Sequence, residues 1–105
     1  LAALDAYAAR REQPDAIMGG NDQMGIAALR WAAGRGIAVP ADLKVTGFNA
    51  FDFRDYSTPT LTSIRSSAYA MGEACGRAVL ARLDEGRFAE SETVFPVALL
   101  EGTSD

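Results

Sequence analysis

Two short apolar runs set the architecture of this chain, and each of them gives out close to an asparagine. Ala16-Ile17-Met18-Gly19 is bounded by Pro14-Asp15 on one side and Gly20-Asn21 on the other. A continuous apolar run of this length suits a strand buried on both faces, as in a parallel sheet, better than one alternating between core and solvent. The second run, residues 43–48 (LKVTGF), follows the turn Val39-Pro40-Ala41-Asp42 and leads directly into Asn49.

Between the runs lies a helical pattern. Asn21-Asp22 offers N-cap side chains for a helix through Arg35, and Gly36 stands where helices commonly end in a left-handed residue. Met24, Ala27, Ala28, Trp31 and Ala32 form one stripe at helical spacing, with Ile26 and Leu29 off its centre; so wide an apolar arc implies two packing partners. A first helix is expected over residues 1–13, closed before Pro14. Residues 49–60 read as irregular, 61–65 as a third strand, 68–85 as a third helix stopped by Gly86, and 93–100 as a last strand. The order α-β-α-β-loop-β-α-β is that of an α/β fold, a mainly parallel sheet flanked by helices, with right-handed crossovers.

Composition removes most chemistries. A chain of 105 residues makes one small domain, and 49% apolar against 23% charged residues is the balance of a globular protein. Ten basic and 14 acidic residues give a net charge of -4 with no cationic stripe, so these residues are not expected to bind nucleic acid. One cysteine and no histidine exclude disulfide frameworks, Cys/His zinc sites and histidine acid/base catalysis. No cofactor or metal is expected. No apolar run approaches the roughly 18 residues of a membrane span, and a cytoplasmic, reducing setting fits the cysteine count. The chain opens at Leu1 in a helical pattern, as expected of a piece of something longer.

Several motifs have both a functional and a plain reading. Gly20 and Gly25 have the separation of a phosphate-binding loop, but Ile26-Ala27 follow where Lys and Ser/Thr are needed. Asn21 lies just past the first strand and Asn49 just past the second, where open α/β sheets hold ligands; two carboxamides could converge on a polyhydroxylated or amide-bearing molecule. The plain reading makes Asn21 a helix cap and Asn49 a turn residue. Phe48, Phe51, Phe53 and Tyr56 form an aromatic cluster that could stack on a ligand, pack on a partner or, for Phe51, plug its own loop. Asp52, Asp55 and Glu73 read as solvated. Cys75 falls on the apolar stripe Met71, Cys75, Ala78, Val79 and Leu83, as a buried small side chain would, and Gly72 and Gly76 suggest close helix packing.

An ordered series of segments resembles the LacI/GalR transcriptional regulators. They are Pro14-Asp15-Ala16-Ile17 into Gly20-Asn21-Asp22-Gln23-Met24, Val39-Pro40-Ala41-Asp42 before Lys44-Val45-Thr46-Gly47-Phe48, Thr58-Pro59-Thr60-Leu61-Thr62-Ser63-Ile64, and Met71-Gly72. The resemblance implies a periplasmic-binding-protein-like (type I) fold, of which this chain is the C-terminal part of the effector domain. It places residues 1–60 and 92–105 in the second lobe and likens 61–91 to the first, with the DNA-binding helix-turn-helix absent. By position, Asn21 looks like an effector-binding asparagine, Asn49 takes the place of the family's usual aspartate, and Phe48 and Ser66 fall near the ligand. Ile26, Arg30, Phe53 and Tyr56 resemble the face that forms a homodimer. The implied function is non-enzymatic: sensing of a small-molecule effector, a sugar or sugar derivative, with operator DNA contacted only through the absent part. The alternative is a periplasmic sugar-binding protein of a transport system, which shares the fold.

Overall fold

The first strand, expected to be buried on both faces, is covered on one only: Ile17 is half-buried against the core, while Ala16 and Met18 are exposed. The structure, a computed structural model, describes residues 2–10 and 14–105. Its elements are α1 (Ala2–Ala8), β1 (Ala16–Met18), α2 (Asp22–Ala33), β2 (Lys44–Asn49), a 3-10 turn (Asp52–Tyr56), β3 (Thr62–Ser66), α3 (Ala68–Glu85) and β4 (Val97–Leu100). The expected order is present, and the fold is α/β. Leu1 and the last residues of the expected first helix, 11–13, lie outside the described residues.

The strands form one sheet in the order β1-β2-β3-β4. β1 runs parallel to β2 with Ile17 opposite Val45, and β2 runs parallel to β3 with Gly47 opposite Ser63. The Gly19 amide extends the first ladder by donating to the Thr46 carbonyl at 2.8 Å.

The chain divides into two units, Leu1–Arg65 with Ala98–Asp105, and Ser66–Val97. β3 is hydrogen-bonded along β2 and belongs to the first unit, and the second unit ends at Val97. The last strand is also shorter than the sequence pattern suggests, beginning at Val97 instead of residue 93.

In the first unit, α2 packs on β1 and β2. The core comprises Ala28, Leu29, Trp31, Ala32, Leu43, Val45 and Leu61, with Leu4 and Ala8 of α1 against its edge. The buried stripe of α2 differs from the expected one: Leu29 is 5% exposed, while Met24 is 60% exposed. The reason is Gly25, which faces inward. A Cβ there would stand 2.8 Å from a Leu61 methyl and 3.3 Å from the Thr46 carbonyl, so the helix touches the sheet through its smallest residue. That contact rotates Met24 outward and Leu29 inward. Gly36, at φ 69, provides the expected left-handed stop, although α2 ends at Ala33 and is capped by Gly34.

α1 is tied to α2 by polar contacts. The Trp31 indole N–H donates to Asp5 Oδ1 at 2.9 Å, Arg35 pairs with the same oxygen, and the Arg35 guanidinium lies 4.6 Å above the Trp31 ring.

Residues 102–105 close the other end of the sheet. Ser104, fully buried, donates through Oγ to the Val45 carbonyl at 2.5 Å and accepts from the Thr62 amide at 2.9 Å, while the Val45 amide donates to the Ser104 carbonyl at 2.7 Å.

The second unit consists of α3 and the segment after it. The expected Glu73/Arg77 pair is formed, and Gly86 at φ 77 caps the helix. Cys75 is exposed rather than buried, and nothing lies within 4 Å of a Cβ built on Gly72 or Gly76. The stripe Met71, Val79 and Leu83 is likewise exposed, since the second unit supplies no layer to cover it.

Leu61, fully buried between α2 and the sheet, is the keystone of this packing. Leu61→Ala is expected to cost about 2–5 kcal/mol. Urea unfolding of the two proteins checks this through the shift in midpoint at constant slope.

Candidate functional site

The carboxyl ends of β1 and β2 lie side by side because the strands are parallel and adjacent, and each chain leaves its strand through polar residues. Asn21, two residues beyond Gly19, is the N-cap of α2: its Oδ1 accepts from the Met24 amide at 2.9 Å. The cap uses the side-chain oxygen, and the amide group remains as a donor at a half-buried position. Asn49 ends β2 with φ 98 and Ala50 follows with φ 52, two consecutive left-handed residues. Asparagine is among the few L residues that enter this region readily.

Phe48 and Ser66 are placed differently. Successive side chains of a strand point to opposite faces. Phe48, 39% exposed, opens with Met18, Ile64 and Leu99 onto an apolar hollow of about 280 Å³ on the sheet face. Ser66 ends β3 and is the first residue of the second unit.

Ile26, Arg30, Phe53 and Tyr56 are brought together. They line one open groove of about 670 Å³ between α2 and the 3-10 turn, with Gln23 at its end. Tyr56 is 89% exposed. Phe51 does not plug its loop; its ring stacks on Phe53 at 5.4 Å between centroids and is half exposed.

Two residues that hold this region escaped the sequence reading. Asp22 is not the cap but the first residue of α2, and it is fully buried. Its Oδ2 accepts from the Phe51 amide at 2.6 Å and its Oδ1 from the Ser63 hydroxyl. Arg54, in the 3-10 turn, donates from one guanidinium nitrogen to the carbonyls of Leu61 at 2.7 Å and Leu100 at 2.9 Å, and from the other to Glu101 at 3.3 Å. It thereby joins the loop carrying Phe53 and Tyr56 to the start of β3 and the end of β4. An arginine among aromatics in a loop gives no periodic signal. Asp22 left a faint one: an acid immediately after Asn21, opposite a glycine-bearing strand.

Among the described residues no group of three His, Cys, Asp or Glu side chains could hold a metal ion, and no helix is long and apolar enough to cross a membrane. Asp52, Asp55 and Glu73 are all exposed, as expected of solvated carboxylates.

Comparison with known proteins places this geometry in a family. A profile of the periplasmic binding protein-like domain matches residues 1–104. An HTH-type transcriptional regulator encoded in the aml 5′ region of Streptomyces limosus is 35% identical over 86 residues, covering 81% of this chain and 24% of that protein. Two solved structures are also similar. The transcriptional regulator CelR in complex with cellobiose has a TM-score of 0.80 at 27% identity, over 87% of this chain and 28% of that one. The Lac repressor dimer bound to operator and the anti-inducer ONPF has a TM-score of 0.77 at 27% identity, over 87% of this chain and 32% of that one. This chain belongs to the periplasmic-binding-protein-like domain family, in the form found in LacI/GalR-type transcriptional regulators. It spans about a quarter of the length of the Streptomyces relative.

Arg54 provides a test of the local architecture. Its side chain is 11% exposed and serves three carbonyls in a fork that an ammonium group cannot reproduce. Arg54→Met is expected to destabilise the fold by about 1–3 kcal/mol through unpaired carbonyls. Arg54→Lys should recover less than half of the loss in calorimetric melting.

Proposed function

We propose that this chain is the effector-sensing and self-pairing part of a LacI-type transcriptional regulator whose effector is a sugar or sugar derivative. The observation that carries this reading is the placement of Asn21 and Asn49 at the carboxyl ends of adjacent parallel strands. A sugar presents alternating donors and acceptors, and carboxamides match both without a net charge. The similarity to a regulator solved with cellobiose supports the same chemical class.

The mechanism is a population shift. A ligand held by residues of both lobes favours one interlobe arrangement, and the effect on DNA equals its difference in affinity between the two arrangements. Operator binding belongs to a helix-turn-helix outside these residues, so the acidic charge of the chain is compatible with the role. No catalytic step is involved, and the working compartment is the cytoplasm. The groove of Ile26, Arg30, Phe53 and Tyr56 is the face that meets a second copy, an assignment supported by the similarity to a repressor solved as a dimer. In a two-fold pair each substitution acts twice.

Two measurements check this reading. In the full-length regulator, titration calorimetry against cellobiose, lactose and maltose should find a binding sugar, and Asn21→Ala should weaken it by about 1–3 kcal/mol. Asn21→Asp keeps an acceptor for the helix cap but removes the amide donor; native affinity in that variant reduces Asn21 to a cap. Tyr56→Arg, at an exposed position, should raise the dimer dissociation constant at least about tenfold in sedimentation equilibrium without lowering the melting temperature. An unchanged dimer would remove Tyr56 from the interface.

A further inference from the structure

Between the crevice and the groove lies a buried polar cluster that neither reading uses. Asp22 is 0% exposed and Ser63 is 1% exposed. The Ser63 hydroxyl donates to Asp22 Oδ1 and accepts from the Ala50 amide at 3.1 Å, while Asp22 Oδ2 accepts from the Phe51 amide at 2.6 Å. Two consecutive amides just after Asn49 are therefore held by one carboxylate and one hydroxyl, from α2 and β3. The packing enforces this arrangement: a Cβ on Gly47 would stand 2.5 Å from Asp22 Oδ1 and 3.1 Å from Asp22 Cα, so the carboxylate rests directly on β2.

We propose that Asp22 and Ser63 are positioning residues for Asn49. They clamp the left-handed turn at 49–51 against the start of α2, and so fix Asn49 relative to Asn21. This rests on the reading of Asn49 as a ligand-binding residue.

Three observations support it beyond the bonds themselves. Ala50 has φ 52, a conformation an alanine does not prefer, and a conformation of this kind persists only where surrounding contacts over-determine it. The two amides involved are those that directly follow Asn49, so the clamp acts on the backbone adjoining that residue. Asp22 also sits between Asn21 at the crevice and Gln23 at the groove, so the same carboxylate that orders the Asn49 turn anchors the helix start on which Asn21 stands.

Hydrogen exchange and a mutant cycle on the full-length protein test the proposal. Ser63→Ala removes only the hydroxyl; Asp22→Asn keeps the shape and replaces one acceptor with a donor. Exchange at the Ala50 and Phe51 amides should rise by about tenfold or more in both variants, with the Val45 amide of β2 unchanged as the internal reference. In calorimetry with whichever of cellobiose, lactose or maltose the native protein binds, Ser63→Ala should weaken affinity about five- to tenfold. The same change should have little effect in an Asn49→Ala background, because a positioning residue acts through the residue it positions. Full additivity of the two substitutions overturns the proposal, as does unchanged exchange at Ala50 and Phe51. A native protein that binds none of the three sugars overturns instead the sugar-sensing reading, and the exchange result then decides the clamp separately.

Discussion

The close approach of α2 to the sheet is the contact on which the rest of the first unit depends. Helices ordinarily pack with side chains between backbone and sheet, but here Gly25 of α2 and Gly47 of β2 let the Leu61 side chain and the Asp22 carboxylate rest directly on backbone in the gap, within a core that also holds Leu29, Ala32 and Val45. A layer this thin has little room to relax, and cores close-packed to this degree transmit displacement rather than absorb it. Asp22 can be buried because it lies in that gap with two donors already aimed at it. Among the described residues no buried side-chain nitrogen or oxygen lacks a partner, so the cost of removing this carboxylate from water is met by hydrogen bonds at both oxygens.

The same helix serves two surfaces of different chemistry. Its first turn runs from Asn21 at the carboxyl ends of the strands, through Asp22 in the interior, to Gln23 on the groove. Ile26 belongs to both worlds, packed against the core on one side and lining the groove on the other. The 3-10 turn is held in register with this helix from below, by Arg54 on the carbonyls of Leu61, Leu100 and Glu101. A shift of the turn therefore has to break charge-assisted bonds to two separate strands, which are stronger than neutral ones.

What the sequence displayed and what it hid divide along physical lines. The alternation of short apolar runs and helical spacing is a property of consecutive residues, and it led directly to the order of elements and to a mainly parallel sheet, though not to the pairing of β3 with β2. Gly36 and Gly86 marked their turns for the same local reason. The orientation of α2 was less visible, because hydrophobicity ranked Met24 above Gly25 as a core residue, and the closeness of Leu61 reversed that order. Ser63, Arg54 and Ser104 act across 40 or more residues or through backbone carbonyls, and neither relation leaves a period in the sequence. Cys75 and its stripe were legible as apolar but not as uncovered, since covering is decided by atoms outside the second unit. Asn21 shows the remaining ambiguity well: it does cap α2, and the cap occupies only its oxygen.

The contrast between crevice and groove also bears on the two asparagines, Asn21 beyond β1 and Asn49 at the end of β2. Just beyond the end of β2 the Phe51 amide and, from β3, the Ser63 hydroxyl are committed to the buried Asp22 carboxylate. A carboxamide at residue 49 tolerates the left-handed backbone at φ 98 and combines a donor and an acceptor without a net charge. In the proposed role it would favour a ligand by hydrogen-bond pattern rather than by charge.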